Sequence, residues 1–255
     1  MRHWILGLAV VFAAASAAAA DEKAEAVVKK AIEAHGGAAA LDKYKAGKSN
    51  MKGEMTLPML GDVAFSGKVA YMSPDKYKLD IELEIMGQKL VATQVVNGDK
   101  VKNKLTLGGM ALPIPDDQKE DLKLVTALQE AESLTPLLDA KKFEITAGPD
   151  EDVEGAKASV VTVKIKALTK EAKFYFDQKT NLLVKTARKS KEIGDGGAPA
   201  EVLEETLNKD YKKVNGVQQP TKIVVTHDGK KFMTVEASEI EVLEKIDDKE
   251  FAVDD

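Results

Sequence analysis

Between Lys76 and Met86 the chain alternates without a slip. Tyr77, Leu79, Ile81, Leu83 and Ile85 share one parity, and Lys76, Lys78, Asp80, Glu82 and Glu84 share the other. A period of two puts the apolar set on one side of a β-strand and the charged set on the other. Such a strand needs pairing neighbours and a cover for its apolar face, so the pattern demands a sheet with one wet side.

The neighbours are legible. Strands are predicted over 48–57, 62–72, 76–86, 89–96 and 100–107, joined by turns at Gly61-Asp62, Met86-Gly87 and Asn97-Gly98. Short glycine-bearing turns between alternating segments mark antiparallel hairpins. A second set falls at 142–147, 158–167, 172–177, 182–190, 200–213, 221–227 and 231–243, with turns at Asp177 to Asn181, Asn215-Gly216 and Asp228-Gly229. In the last strand Met233, Val235 and Ala237 share a parity that Ile240 and Val242 break, which predicts a bulge near Ser238 or Glu239.

Two helices interrupt the strands. Residues 21–35 carry Ala24, Val27, Val28, Ala31, Ile32 and His35 on one stripe and stop at Gly36-Gly37. A second helix is predicted over 117–134, with Leu124, Val125, Leu128 and Ala131 on one face, Asp116 or Asp117 as its cap and Pro136 closing it. Strands arriving as hairpins exclude a doubly wound fold. The expected class is mainly β with two or more helices: one curled antiparallel sheet, an incomplete barrel, with helices over its concave face.

Arg2 and His3, the apolar run Trp4 to Phe12 and the small-residue end Ala18-Ala19-Ala20 have the layout of a secretory signal. The expected organisation is a signal peptide at 1–20 and one domain at 21–255, placed in the periplasm, cell envelope or medium. Losing Arg2 takes the net charge from −5 to −6. Mild acidity with mixed signs argues against nucleic-acid binding. The chain has no cysteine, which excludes disulfides, thiol catalysis and cysteine-held metals.

Catalytic chemistry finds no foothold. There is no G-x-S-x-G elbow, H-E-x-x-H helix or P-loop. His35 is expected to be structural, its imidazolium meeting the C-terminal end of a helix dipole. His227 is expected beside a turn in water. Asp150, Glu151, Asp152 and Glu154 lack the spacing of a calcium loop and read as a solvated loop, as do Gly194 to Pro199; Asp247, Asp248, Asp254 and Asp255 carry no metal signal either. No catalytic residue, metal or cofactor is expected. Methionine is more informative: of the seven beyond Met1, six lie between Met51 and Met110. Met51 and Met55 share a strand face, Met59 falls in the turn beyond, and Met72 and Met86 lie near strand ends. Methionine adapts to irregular apolar ligands, and it also fills ordinary cores.

The segments AIEAHGG, LDKYK, KSNMKGEM, FYFDQKTNLLVKT and DYKKVNGVQQPTKIVVTHDGKKFMTVEASEIEVLEKIDD occur in that order. The set resembles the LolA-like outer-membrane lipoprotein-sorting proteins across nearly the whole chain beyond residue 20. The resemblance implies a half-barrel whose helices form a lid over an apolar groove that carries lipoprotein acyl chains across the periplasm. Met51, Met55, Phe65, Val69, Leu79, Ile81 and Leu83 become groove candidates by strand parity, some of them expected on the opposite side. Val28, Ile32, Leu124, Val125 and Leu128 become lid candidates. The implied partners are lipoprotein acyl chains or lipid, with a membrane complex for loading and the protein a monomer. An exported interaction module with a self-filled groove is the alternative. Two departures stand out. Carriers of this family are shorter and hold the lid with an arginine, whereas this chain beyond residue 20 has only Arg188, on the 182–190 strand, which the motifs do not match to that role.

Overall fold

The structure, a computed structural model, describes residues 9–57, 60–114, 118–193 and 199–253. The expected cap at Asp116 or Asp117, Met59, most of the Gly194 to Pro199 loop, and Asp254 and Asp255 lie outside these residues.

One antiparallel sheet of fourteen strands organises the chain. The first meander comprises β1 (Ala46–Leu57), β2 (Gly61–Met72), β3 (Lys76–Ile85), β4 (Gln88–Asn97), β5 (Lys100–Leu107) and β6 (Met110–Leu112). The second comprises β7 (Phe143–Ala147), β8 (Glu151–Val153), β9 (Ala156–Ile165), β10 (Lys170–Asp177), β11 (Leu183–Ile193) and β12 (Pro199–Lys209), then β15 (Lys222–His227) and β16 (Lys230–Leu243). β13 (Lys212–Val214) and β14 (Val217–Gln219) form a separate hairpin. Across the sheet the order is β6-β5-β4-β3-β2-β1-β16-β15-β12-β11-β10-β9-β7, so the last strand returns to β1 and joins the two meanders, while β6 and β7 leave the edges open.

Local chemistry explains the hairpins. Met86-Gly87, Asn215-Gly216 and Asp228-Gly229 each place both residues at positive φ, the type I′ geometry that matches strand twist. The β4–β5 turn is shifted by one residue: Asn97 still pairs with Lys100, and Gly98-Asp99 makes the bend. The bulge predicted in β16 is present. Glu239 has φ 49°, and the register against β1 slips between Lys48 and Asn50.

Several boundaries differ from expectation. The predicted strand 200–213 breaks at Asp210, whose φ of 53° ends the extended run, and Lys212–Val214 turns away to pair with Val217–Gln219. The acidic loop is a hairpin, with β8 paired to β9 across Glu154-Gly155. Lysines and an amide neutralise it: Lys173 bonds Glu151, Gln178 bonds Asp150, and Lys209 bonds Glu154. Helix α1 spans Ala9–His35 and thus begins twelve residues before the predicted start, in keeping with the helix propensity of its alanines. A short helix, α2 (Ala38–Lys43), was not foreseen. Helix α3 covers Gln118–Glu132, followed by a 3-10 turn at Thr135–Leu138 with Pro136 at its start. No helix among the described residues is long and apolar enough to cross a membrane.

The sheet curls strongly. Tyr77 on β3 and Arg188 on β11 line one pocket together with α3 residues. They are six strand steps apart, roughly 29 Å in a flat sheet at ~4.8 Å per step. Glycines on the inner face let the backbone bend. A Cβ at Gly53 would stand 1.9 Å from the Thr234 carbonyl oxygen, and one at Gly67 would stand 2.4 Å from that of Asp80.

Both helices lie on the concave face. α1 seats Ala24, Val28, Ala31 and Ile32 on Phe143, Val161, Val163, Phe174 and Phe176, and α3 adds Leu124 and Ala131 to the same cluster. The C-terminal tail packs on the convex face instead. There Ile246 and Phe251 join Ala46, Ala70 and Val95, and Lys78 and Lys48 bond Glu250.

Candidate functional site

Strand register decides which side chains share the concave face. Starting from Phe65, the cross-strand partners are Gly53 on β1, Val235 on β16, Leu83 on β3, Leu90 on β4 and Leu107 on β5. Every second residue follows. Met51, Met55, Phe65, Val69, Leu79, Ile81 and Leu83 therefore all face inward, and none lies on the opposite side. Across six adjacent strands, β5-β4-β3-β2-β1-β16, the inward positions of the described residues carry one charge, the exposed Lys230 opposite His227 at the start of β16; Ser49, Tyr71, Tyr77, Gln88, Gln94 and Asn103 are the other polar ones.

Coverage of this face is uneven. Phe65, Leu83 and Val235 are buried, whereas Met51, Met55, Val63, Ile81, Ile85, Leu90, Ile223 and Met233 around them are only half-buried. Val69 and Leu79 are half-buried as well. Methionine enrichment is a partial guide. Met51, Met55 and the distant Met233 face the hollow, but Met72 packs on the convex side, and Met86 in a turn and Met110 at the start of β6 are exposed.

The lid candidates divide. Val28 and Ile32 of α1 are sealed against the second meander. Leu124 is buried too, but Val125 and Leu128 join Gln129 and Glu132 in lining a pocket of 170 Å³ between α3 and the sheet. That pocket closes one end of the hollow, over Tyr77; Lys123 of α3 meets Asp99 in the β4–β5 turn at the same rim.

Polar groups concentrate at this covered end. Arg188, Glu204 and His227 are cross-strand neighbours on β11, β12 and β15. The Arg188 guanidinium donates through Nε and contacts through Nη2 the same oxygen of Glu204, both at 2.7 Å. His227 Nε2 lies 3.5 Å from the other Glu204 oxygen, and its ring stacks on Phe232. This histidine is buried, not solvated as its turn position suggested. Glu132 reaches the same pocket from α3. It remains solvent-accessible on the pocket wall, with Tyr77, Val125 and Leu128 among its neighbours there. Those surroundings push its carboxyl up to about 7; Arg188 opposes the rise and Glu204 adds to it. Nearby, burial raises the phenols of Tyr71, Tyr77 and Tyr211. No sequence motif announces this group; the one signal is a glutamate on the Val125-Leu128 stripe of α3.

His35 has a structural role, but in neutral form. Its Nδ1 donates to the Ala31 carbonyl at 2.8 Å, and Nε2 accepts from the Leu183 amide at 3.4 Å. Burial lowers its pKa, so an imidazolium at the helix end is disfavoured. Among the described residues no cluster of three metal-ligating side chains occurs.

No protein-family model and no curated protein matches the sequence. Solved structures do match. A LolA superfamily protein from Nitrosomonas europaea superposes with a TM-score of 0.52 at 12% identity, covering 90% of this chain and 97% of that one. A domain from Vibrio parahaemolyticus, named for outer membrane lipoprotein sorting, gives 0.51 at 10% identity, covering 91% and 97%. A DUF1329 family protein from Desulfovibrio piger gives 0.52 at 12% identity, covering 90% and 97%. The curled sheet, its open edges and the helices across the hollow thus belong to a LolA-like fold.

Proposed function

We propose that this chain is an exported, non-enzymatic binder of lipid-like ligands, acyl chains of lipoproteins among them, held against the uncovered part of the concave face. One observation carries the reading: six adjacent strands present an inner surface, charged only at Lys230 on its rim among the described residues, whose apolar side chains stay half-accessible around Phe65, Leu83 and Val235. Water-exposed apolar surface of this extent is costly for a protein with no use for it. An acyl chain laid along it gains about 0.8 kcal/mol per buried methylene. The neighbours named for lipoprotein sorting support this ligand class, and a leader at 1–20 fits delivery to the cell envelope, with a membrane complex loading a monomeric carrier.

Native mass spectrometry of protein purified without detergent is expected to show co-purified lipid, and the stripped protein is expected to take up a fluorescent fatty acid. A clean apo mass together with no uptake would overturn the proposal. A second reading draws on the pocket beneath α3, which at 170 Å³ is smaller than the ~300 Å³ typical of small-molecule sites. In that reading the hollow is filled by its own side chains: the native protein takes up no fatty acid, and Ile81→Asp only lowers stability by placing a charge in the packed cluster. In the carrier reading Ile81→Asp abolishes uptake.

A further inference from the structure

The hollow has two chemically different ends. At the open end lie Met55, Leu83 and Met233, all apolar. At the end closed by α3, Tyr77 and Glu132 face Arg188 and Glu204 across the pocket. From Tyr77 the inward side chains of β3 continue as Leu79, Ile81 and Leu83, a track of about 20 Å over six residue steps at ~3.4 Å each. A ligand spanning that track places a tail among the methionines and a head beside Glu132.

Charge decides the head. Arg188 is already matched, because its Nε and Nη2 both contact Glu204. The Glu132 side chain makes no hydrogen bond or close ion pair with any described residue; it lies open to solvent on the pocket wall and feels Arg188 only across the pocket. Two carboxyls thus stand against one guanidinium that is engaged. An incoming carboxylate or phosphate would meet uncompensated negative charge, whereas an ammonium would supply the missing cation. Tyr77, lining the same pocket, adds an aromatic surface compatible with a cation.

Resting on the carrier reading above, we propose that the pocket under α3 is a subsite for a protonated amine, and that the preferred ligand is a single-chain amphiphile with an ammonium head at Glu132 and its tail along Leu79, Ile81 and Leu83. Glu132 binds the head directly; Arg188 and Glu204 hold the surrounding charge in place.

The test compares three ligands with one tail. Dodecylamine, dodecanol and dodecanoate, each below its micellar concentration at pH 8, compete with a fluorescent fatty-acid probe on the purified protein. The amine is expected to bind about tenfold more tightly than the alcohol, the worth of one charge-assisted contact, and dodecanoate most weakly. In Glu132→Gln, checked for an unchanged thermal transition, the amine should lose its advantage while dodecanol binds as before. Equal binding of amine and alcohol by the native protein overturns the subsite but leaves the groove standing. An amine preference that survives in Glu132→Gln overturns the assignment to Glu132. No displacement by any of the three defeats both the subsite and the carrier reading. The native protein's ranking is informative even if the variant fails to fold.

Discussion

The two meanders of this sheet have the same twist, pairing and alternation, yet their inner faces differ. In the second, Val161, Val163, Phe174 and Phe176 lie under α1 and are dry. In the first, Met51, Met55, Val63, Ile81 and Leu90 occupy equivalent inward positions and still meet water. The cause is a matter of supply: α1 is seated on β7 to β10, while α3 closes only the Tyr77 end of the first meander. Stability and binding are thereby separated on one continuous surface. Where a helix is packed down, apolar area stabilises the fold; where none is, the same kind of area remains available to a ligand.

Truncating a dry side chain is the hardest test of that division. Phe174→Ala should cost about 3–5 kcal/mol, read as a lower urea midpoint, whereas Met55→Ala should cost about 1 kcal/mol because the side chain is already half-solvated. Similar costs at the two positions would erase the distinction. Next in size is the curvature that creates the hollow. Gly67→Val drives a side chain into the Asp80 carbonyl, with an expected loss of about 1–3 kcal/mol and of probe uptake together. Loss of stability with uptake intact would show that curvature does not shape the binding surface.

Acid should act on the covered half first. His35 has a folded pKa below its ordinary value, so its neutral form favours folding. That contribution is fully present above the unfolded pKa of about 6.5 and fades as the pH falls below it. Thermal midpoints measured through this window should drop in the native protein, and His35→Gln should lack that component. An identical profile in both would refute the neutral assignment. The smallest effect on binding is expected from Met51→Ala with Met233→Ala, two half-buried positions on the open half. The pair should cost stability about as much per side chain as Met55→Ala while weakening fatty-acid uptake several-fold, about 1 kcal/mol of lost contact.

Much of this was written locally. The alternation of Lys76 to Ile85, the type I′ turns and the parity slip at Glu239 are consequences of neighbouring residues, and each is found where those residues put it. Parity sorted the faces within each strand, but only the register between strands gathered Met51, Met55, Phe65, Val69, Leu79, Ile81 and Leu83 on one face, where some had been expected on the opposite side. Boundaries failed where backbone conformation depends on more distant contacts. β12 stops at Asp210 because the next three residues leave for β14, whose Val217 is buried in the α1 cluster.

The sequence by itself determined the class of element at nearly every stage, the antiparallel pairing, and the apolar side of the strand at 76–85, since these follow from side-chain period and turn chemistry over a few residues. Tertiary structure alone decided which part of that face is covered, and it brought Glu132 to Arg188 and Glu204 across more than fifty residues of chain. Those outcomes depend on how far the sheet curls and where two helices come to rest, and such long-range packing leaves no periodic trace in the chain.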